Sequence, residues 1–283
     1  MIYDEKYRKP IKLVILPGRI VTDSLPIMPS KFLLSLSIYA VTLGVVGDLV
    51  NRKVPQPYMD EIFHIPQAQH YCAGNFTHWD NKITTLPGLY LFSVGMLEPV
   101  YKLSTTLSLG PQSYSDFKLC SVSVLRSVNL VVSCINLILL HTITTHLHGN
   151  KESYSDLLGV WSSLNMSLMP VLFFYSFLYY TDQVSTALVL LTFSLHLSGN
   201  NWLASFSAAL AILSRQTNIV WTFLCGALAA GNIVISEVRL HQARTKYPPT
   251  ISLTASGQLV ELAIGVRDLT SSPWRVLRIL GES

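Results

Sequence analysis

The chain has 283 residues, half of them hydrophobic and only 13% charged, where an ordinary soluble domain carries about a quarter charged residues. With a mean hydropathy of +0.41 this is the composition of an integral membrane protein. The net charge of +4 is divided between the two ends and accompanied by no RNA or DNA motif, so it is read as topology information rather than as a nucleic-acid footprint.

Residues 1–31 carry six Lys/Arg (Lys6, Arg8, Lys9, Lys12, Arg19, Lys31). Charges and four prolines interrupt any signal-peptide order there, so the apolar run that begins at Phe32 reads as a retained anchor. A hydrocarbon core needs about 20 mostly apolar residues per helix, and the candidate spans are 32–50, 122–145, 157–180, 184–198, 202–214 and 219–236. The fourth and fifth are short, with Gly199-Asn200-Asn201 as the turn between them. Segment 86–103 is ambiguous, because Gly88, Gly95, Glu98 and Pro99 dilute it. The tail carries six more Lys/Arg (Arg239, Arg244, Lys246, Arg267, Arg275, Arg278).

Positive-inside counting places both ends in the cytosol. Crossings are then even in number, and six of them put 86–103 in or along the luminal face. The expected organisation is a cytosolic extension (1–31), a transmembrane module (32–236) with a luminal loop (51–121), and a cytosolic tail (237–283). Asp60, Glu61, Asp182 and Arg215 emerge on the luminal side, and His146, His148 and Lys151 on the other.

Asp60 and Glu61 are the candidate catalytic residues, since a carboxylate at a membrane surface acts as a general base when it reaches a substrate hydroxyl. The alternative is an acidic first turn complementing a helix dipole. His64 follows Asp60 by four residues and shares its face if a helix opens at Pro57 or Tyr58. His64 and Gln67 are taken as substrate-binding, against ordinary polar residues. Asp182, after the aromatic run Phe173–Tyr180, is a sugar-hydroxyl acceptor or the N-cap of the next helix. Arg215, with Gln216, interrupts apolar sequence. It reads as a phosphate ligand or as a side chain snorkelling to the interface. Arg126 is a second phosphate ligand or an anchor. The cysteines Cys72, Cys120, Cys134 and Cys225 show no zinc-type spacing. They read as structural thiols, with a Cys72–Cys120 disulfide as the alternative in an oxidising lumen. Asn75-Phe76-Thr77 is a sequon in the same loop.

Pro57 to Gly88, with Tyr-Met-Asp-Glu-Ile-Phe-His, Pro-Gln-Ala-Gln, Trp-Asp and Ile-Thr-Thr-Leu-Pro-Gly-Leu-Tyr-Leu in order, resembles the endoplasmic-reticulum α-1,2-glucosyltransferases that add the last glucose to the lipid-linked oligosaccharide. Arg215-Gln-Thr-Asn-Ile-Val-Trp221 matches a second signature of that family, and the similarity covers about 35–236. The resemblance implies an all-α, polytopic transmembrane bundle of GT-C type in the endoplasmic-reticulum membrane, its site facing the lumen. It implies dolichyl phosphate glucose as donor, the diglucosylated dolichyl-diphosphate oligosaccharide as acceptor, an inverting single displacement and no certain cofactor or metal. By analogy the base maps onto Asp60 or Glu61, with Asp60 expected as the base, Glu61 supporting acceptor binding and Arg215 contacting the donor phosphate. The family continues with about as many spans again after Arg239, whereas 240–283 reads as soluble and unrelated. The chain is therefore expected to be C-terminally truncated, and a catalytically inactive form that binds lipid-linked sugar or a membrane protein stands as the alternative.

Overall fold

In the computed structural model, residues 29–106, 120–148 and 156–246 are described. The expected cytosolic extension up to residue 28, residues 107–119 of the expected luminal loop, residues 149–155 with Lys151, and the expected tail from residue 247 lie outside them. The described residues contain nine helices and no strand: α1 Ser30–Lys53, α2 Glu61–Cys72, α3 Gly88–Thr106, α4 Val122–His148, α5 Asp156–Ser167, α6 Pro170–Tyr175, α7 Thr181–Leu197, α8 Asn201–Ser214 and α9 Asn218–Lys246. They fall into two units, one up to Ala230 and one from Gly231. The described part of the second is helical, and every candidate site residue belongs to the first.

Two helices, α1 and α4, are long and apolar enough to cross a membrane. At 1.5 Å per residue they reach roughly 36 and 40 Å. α1 does not resemble the core helix of a soluble protein, for it turns Leu34, Ile38, Val41 and Val45 outward. Its hydroxyls are satisfied internally, Ser37 bonding the Leu33 carbonyl and Thr42 that of Ile38, as a helix in lipid requires. Its inner face, Phe32, Tyr39 and Leu43, packs with Leu137 of α4, Val160 of α5 and Phe177.

The expected span 157–180 is not one helix. Pro170 cannot donate to the preceding turn, α5 stops at Ser167, α6 lasts six residues, and the chain is non-helical from Ser176 to Tyr180. Unpaired backbone inside an apolar bundle is costly, and buried amides satisfy it here. Asn129 of α4 donates to the Leu178 and Tyr180 carbonyls (2.6 and 2.9 Å). Gln183 donates to the Leu172 carbonyl (2.6 Å) and to Ser176 Oγ, and itself accepts from Asn136. The last expected span, ending at 236, continues helical to Lys246.

α7 and α8 form a hairpin whose turn places Gly199 at φ +80°, in the left-handed region where glycine has no Cβ penalty. The 86–103 segment is helical as α3, and its first residue abuts the end of α8. A Cβ on Gly88 would sit 2.5 Å from Ser214 Cα and 2.6 Å from the Leu213 carbonyl oxygen. Both are backbone atoms and cannot rotate away. Gly88→Ala is therefore expected to cost about 1–3 kcal/mol by overpacking, read as a lowered thermal midpoint of the detergent-solubilised chain. An unchanged midpoint would remove this close approach as the reason for the glycine.

Candidate active site

The ends of α1, α6 and α8 and the starts of α2, α3, α4, α7 and α9 meet at one end of the bundle, and the candidate residues lie there. α1 finishes at Lys53, and Val54–Asp60 leads into α2. Within this loop Met59 has φ +54°, the one non-glycine residue with positive φ among those described. A side chain in that region costs about 1–3 kcal/mol and persists only where its surroundings hold it. Two bonds hold it: the Tyr58 N–H donates to Glu61 Oε2 (2.9 Å), and the Asp60 N–H donates to Tyr180 Oη (2.7 Å). The outcome is an exposed Asp60 whose carboxylate accepts no hydrogen bond from the described residues and makes no cap bond to α2.

Glu61, its neighbour, is fully buried against Arg126 of α4, which is 1% exposed. Arg126 donates from Nε to Glu61 Oε1 (2.9 Å) and from Nη2 to Oε2 (2.5 Å). Its other three N–H groups reach Asn51 Oδ1, the Val54 carbonyl and the Gln56 carbonyl. All five guanidinium donors are used, and Arg126 is the anchor of the two readings given it by sequence. Glu61 accepts two further bonds, from the Tyr58 and Tyr179 N–H groups. Four donors fill its lone pairs, so the carboxylate has no free position for a substrate proton or hydroxyl.

Asp182 is not an N-cap. It lies in the first turn of α7 and accepts from Arg215 Nη1 at 2.5 Å, the two side chains being 24% and 40% exposed. Arg215 follows α8 in extended conformation, and this is the single bond its guanidinium makes among the described residues. Gln216 beside it is exposed. His64 is buried with Nδ1 2.6 Å from Tyr90 Oη and its ring edge-on to Tyr180. Burial lowers its pKa, and the Asp60, Asp182 and Glu61 charges only partly oppose this, which favours the neutral ring. Gln67 is turned away from any substrate: its amide donates to the His78 carbonyl (2.7 Å) and accepts from the Asp80 N–H (3.0 Å), pinning the Trp79 loop.

The structure thus gathers Asp60, His64, Asp182 and Arg215 around Tyr180 and withdraws Glu61 and Gln67 into the framework. Tyr180 was not singled out from the sequence, where it only closes the aromatic run ahead of Asp182. The available signal was its position, at the point where the aromatic run meets Thr181-Asp182-Gln183.

Cys72 at the end of α2 and Cys120 ahead of α4 form a disulfide, the alternative the sequence left open, while Cys134 and Cys225 are free. The bridge closes a loop between residues 48 apart, and such closures stabilise by about 2–4 kcal/mol, mainly by restricting the unfolded chain. Cys72→Ser or a phosphine reductant is expected to lower the thermal midpoint, and intact mass after alkylation of the denatured, unreduced chain should show two modified thiols. Four modified thiols would mean that the bridge does not form.

The family model described as the DIE2/ALG10 family matches residues 54–279, well beyond the end near 236 expected for the resemblance. Curated relatives called Dol-P-Glc:Glc(2)Man(9)GlcNAc(2)-PP-Dol alpha-1,2-glucosyltransferase are similar to the chain. One from Homo sapiens is 36% identical over 207 residues, covering 70% of this chain and 41% of the relative. One from Arabidopsis thaliana is 40% identical over 185 residues, covering 65% and 35%. One from Gibberella zeae is 35% identical over 280 residues, covering 90% and 37%. The aligned part of the chain thus corresponds to 35–41% of the length of these three relatives. No solved structure matches it.

Proposed function

The chain belongs to the DIE2/ALG10 family, and from that membership we propose that it transfers glucose from dolichyl phosphate glucose, in α-1,2 linkage, to the diglucosylated dolichyl-diphosphate oligosaccharide. The observation that carries the reading at the site is the contrast within one acidic pair. Asp60 is exposed with its carboxylate unengaged among the described residues, and Glu61 is buried with every lone pair filled. Asp60 is the general base. It takes the proton of the acceptor hydroxyl as that oxygen attacks the anomeric carbon of the donor. The bond from that carbon to the phosphate oxygen breaks with its electron pair going to dolichyl phosphate, so the β-linked donor gives an α-linked product.

Arg215 meets the phosphate on which charge develops, where a guanidinium lowers the barrier most. Asp182, His64 and Gln216 line the sugar side. Glu61 and Gln67 act through position alone: Glu61 fixes the loop that presents Asp60, and Gln67 fixes the Trp79 loop.

We place the site on the luminal face of the endoplasmic-reticulum membrane, with six crossings formed by α1, α4, α5 together with α6, α7, α8 and α9. The Cys72–Cys120 bridge supports this side, because disulfides persist in oxidising compartments, and exposed Asn75 offers a sequon there. A mobility shift on endoglycosidase treatment that is lost in Asn75→Gln is the expected sign of a luminal loop. The function is tested by incubating the purified chain with dolichyl phosphate glucose and diglucosylated acceptor. Triglucosylated product supports transfer and excludes the reading as a lipid-linked-sugar binder without turnover; donor binding without product favours that second reading.

A further inference from the structure

The two arginines at this end of the bundle are in opposite states. Arg126 has all five donors spent on buried partners. Arg215 has one N–H on Asp182 and the other four without a partner among the described residues. Its side chain is 40% exposed. It is held at the end of α8, where the Asn218 side chain donates to the Ala211 carbonyl (2.8 Å) and to Ser185 Oγ of α7 (2.8 Å). Asn218 thereby fastens the start of α9 to both α8 and α7, and the separation of Arg215 from Asp182 is set by packed helices rather than by a loose loop.

We propose that Asp182 is a latch on Arg215: its carboxylate holds the guanidinium in the absence of ligand, an isoprenyl phosphate displaces it, and the released Asp182 becomes a hydrogen-bond acceptor beside Asp60. The inference deepens the reading of Arg215 as the donor-phosphate ligand and rests on it. The donor's phosphodiester carries one charge, as a carboxylate does, and its two unesterified oxygens take a bidentate grip on the open fork. A partly exposed pair of this kind is held only weakly, because solvent screens it. The latch is therefore weak enough to open and charged enough to compete. Opening it at phosphate arrival frees a second carboxylate whose charge, like that of Asp60, acts on His64, where the transferred sugar's hydroxyls need acceptors.

Binding tests this without turnover. The full chain in detergent is titrated with citronellyl phosphate, a short isoprenyl phosphate, with citronellol as the chain-only control and inorganic phosphate as the headgroup-only arm. Asp182→Asn is expected to bind citronellyl phosphate about threefold to tenfold tighter than the original chain, which is the removal of a screened competitor. Asp182→Ser serves as the second variant, so that a folding failure in one leaves the other to decide. Arg215→Gln should bind at least tenfold more weakly, and Asp182→Asn/Arg215→Gln should be no tighter than Arg215→Gln alone. If both Asp182 variants bind equally or more weakly while Arg215→Gln is impaired, the latch is overturned and the phosphate site stands. If Arg215→Gln binds like the original chain, the phosphate reading falls, and the latch with it. Equal gains with citronellyl and inorganic phosphate identify the headgroup as the competing group; a gain confined to citronellol would overturn the proposal.

Discussion

Asp60→Asn is expected to remove glucose transfer while leaving the folded chain intact. A positioned general base contributes typically 10²–10⁴-fold, and kcat should fall by about that factor with the donor affinity little changed. Stability should stay within about 0.5 kcal/mol, as for a surface site away from any packed feature, because the Asp60 side chain makes no cap bond to α2 and has no hydrogen-bond partner among the described residues. Its backbone contact, the N–H on Tyr180 Oη, survives the substitution. The measurement is a product assay run beside thermal unfolding of the same preparation. Retention of kcat within a few-fold would transfer the base role away from Asp60, and Glu61 could not inherit it with its four bonds in place.

Much of this was legible in the sequence, and the parts that were not share a cause. Apolar length located α1 and α4, because it is a property of a segment taken alone. The break at Pro170 was missed, since hydropathy averages over 157–180 while one missing N–H is local. The non-helical Ser176–Tyr180 stretch is stable only because Asn129, Asn136 and Gln183 bond to it and to each other, a condition that depends on which helices become neighbours. The resemblance favours Asp60 as base and Glu61 for acceptor binding, and the burial that withdraws Glu61 was illegible for the same reason. They are adjacent carboxylates in one loop, and only the tertiary position of Arg126, 65 residues from Glu61, decides which of them is consumed. Arg126 itself was left open between ligand and anchor, because nothing local to α4 says where its five donors go.

That same pair carries the largest expected effect on folding. Breaking a buried ion pair by removing one partner costs roughly 3–5 kcal/mol, since the other charge stays buried and uncompensated. Glu61→Gln leaves Arg126, 1% exposed, charged without a counter-ion. Arg126→Met strands Glu61 and also releases Asn51 and the Val54 and Gln56 carbonyls. Arg126→Met should therefore be the more damaging of the two, with a midpoint lowered by roughly 10 °C or more for a chain of this size. The double variant Glu61→Gln/Arg126→Met removes both charges and should be less destabilised than the sum of the singles, a coupling of about 0.5–3 kcal/mol in a double-mutant cycle. Each single variant should also lose transfer activity out of proportion to the fraction unfolded, because the Tyr58 N–H bond to Glu61 helps hold Met59 at positive φ and Asp60 outward. Additive singles, or an Arg126→Met chain as stable as the original, would show that the loop before α2 is held by something other than this pair. A chain that keeps its stability in Glu61→Gln but loses activity would instead put Glu61 in contact with substrate, against the buried geometry from which its positioning role was inferred.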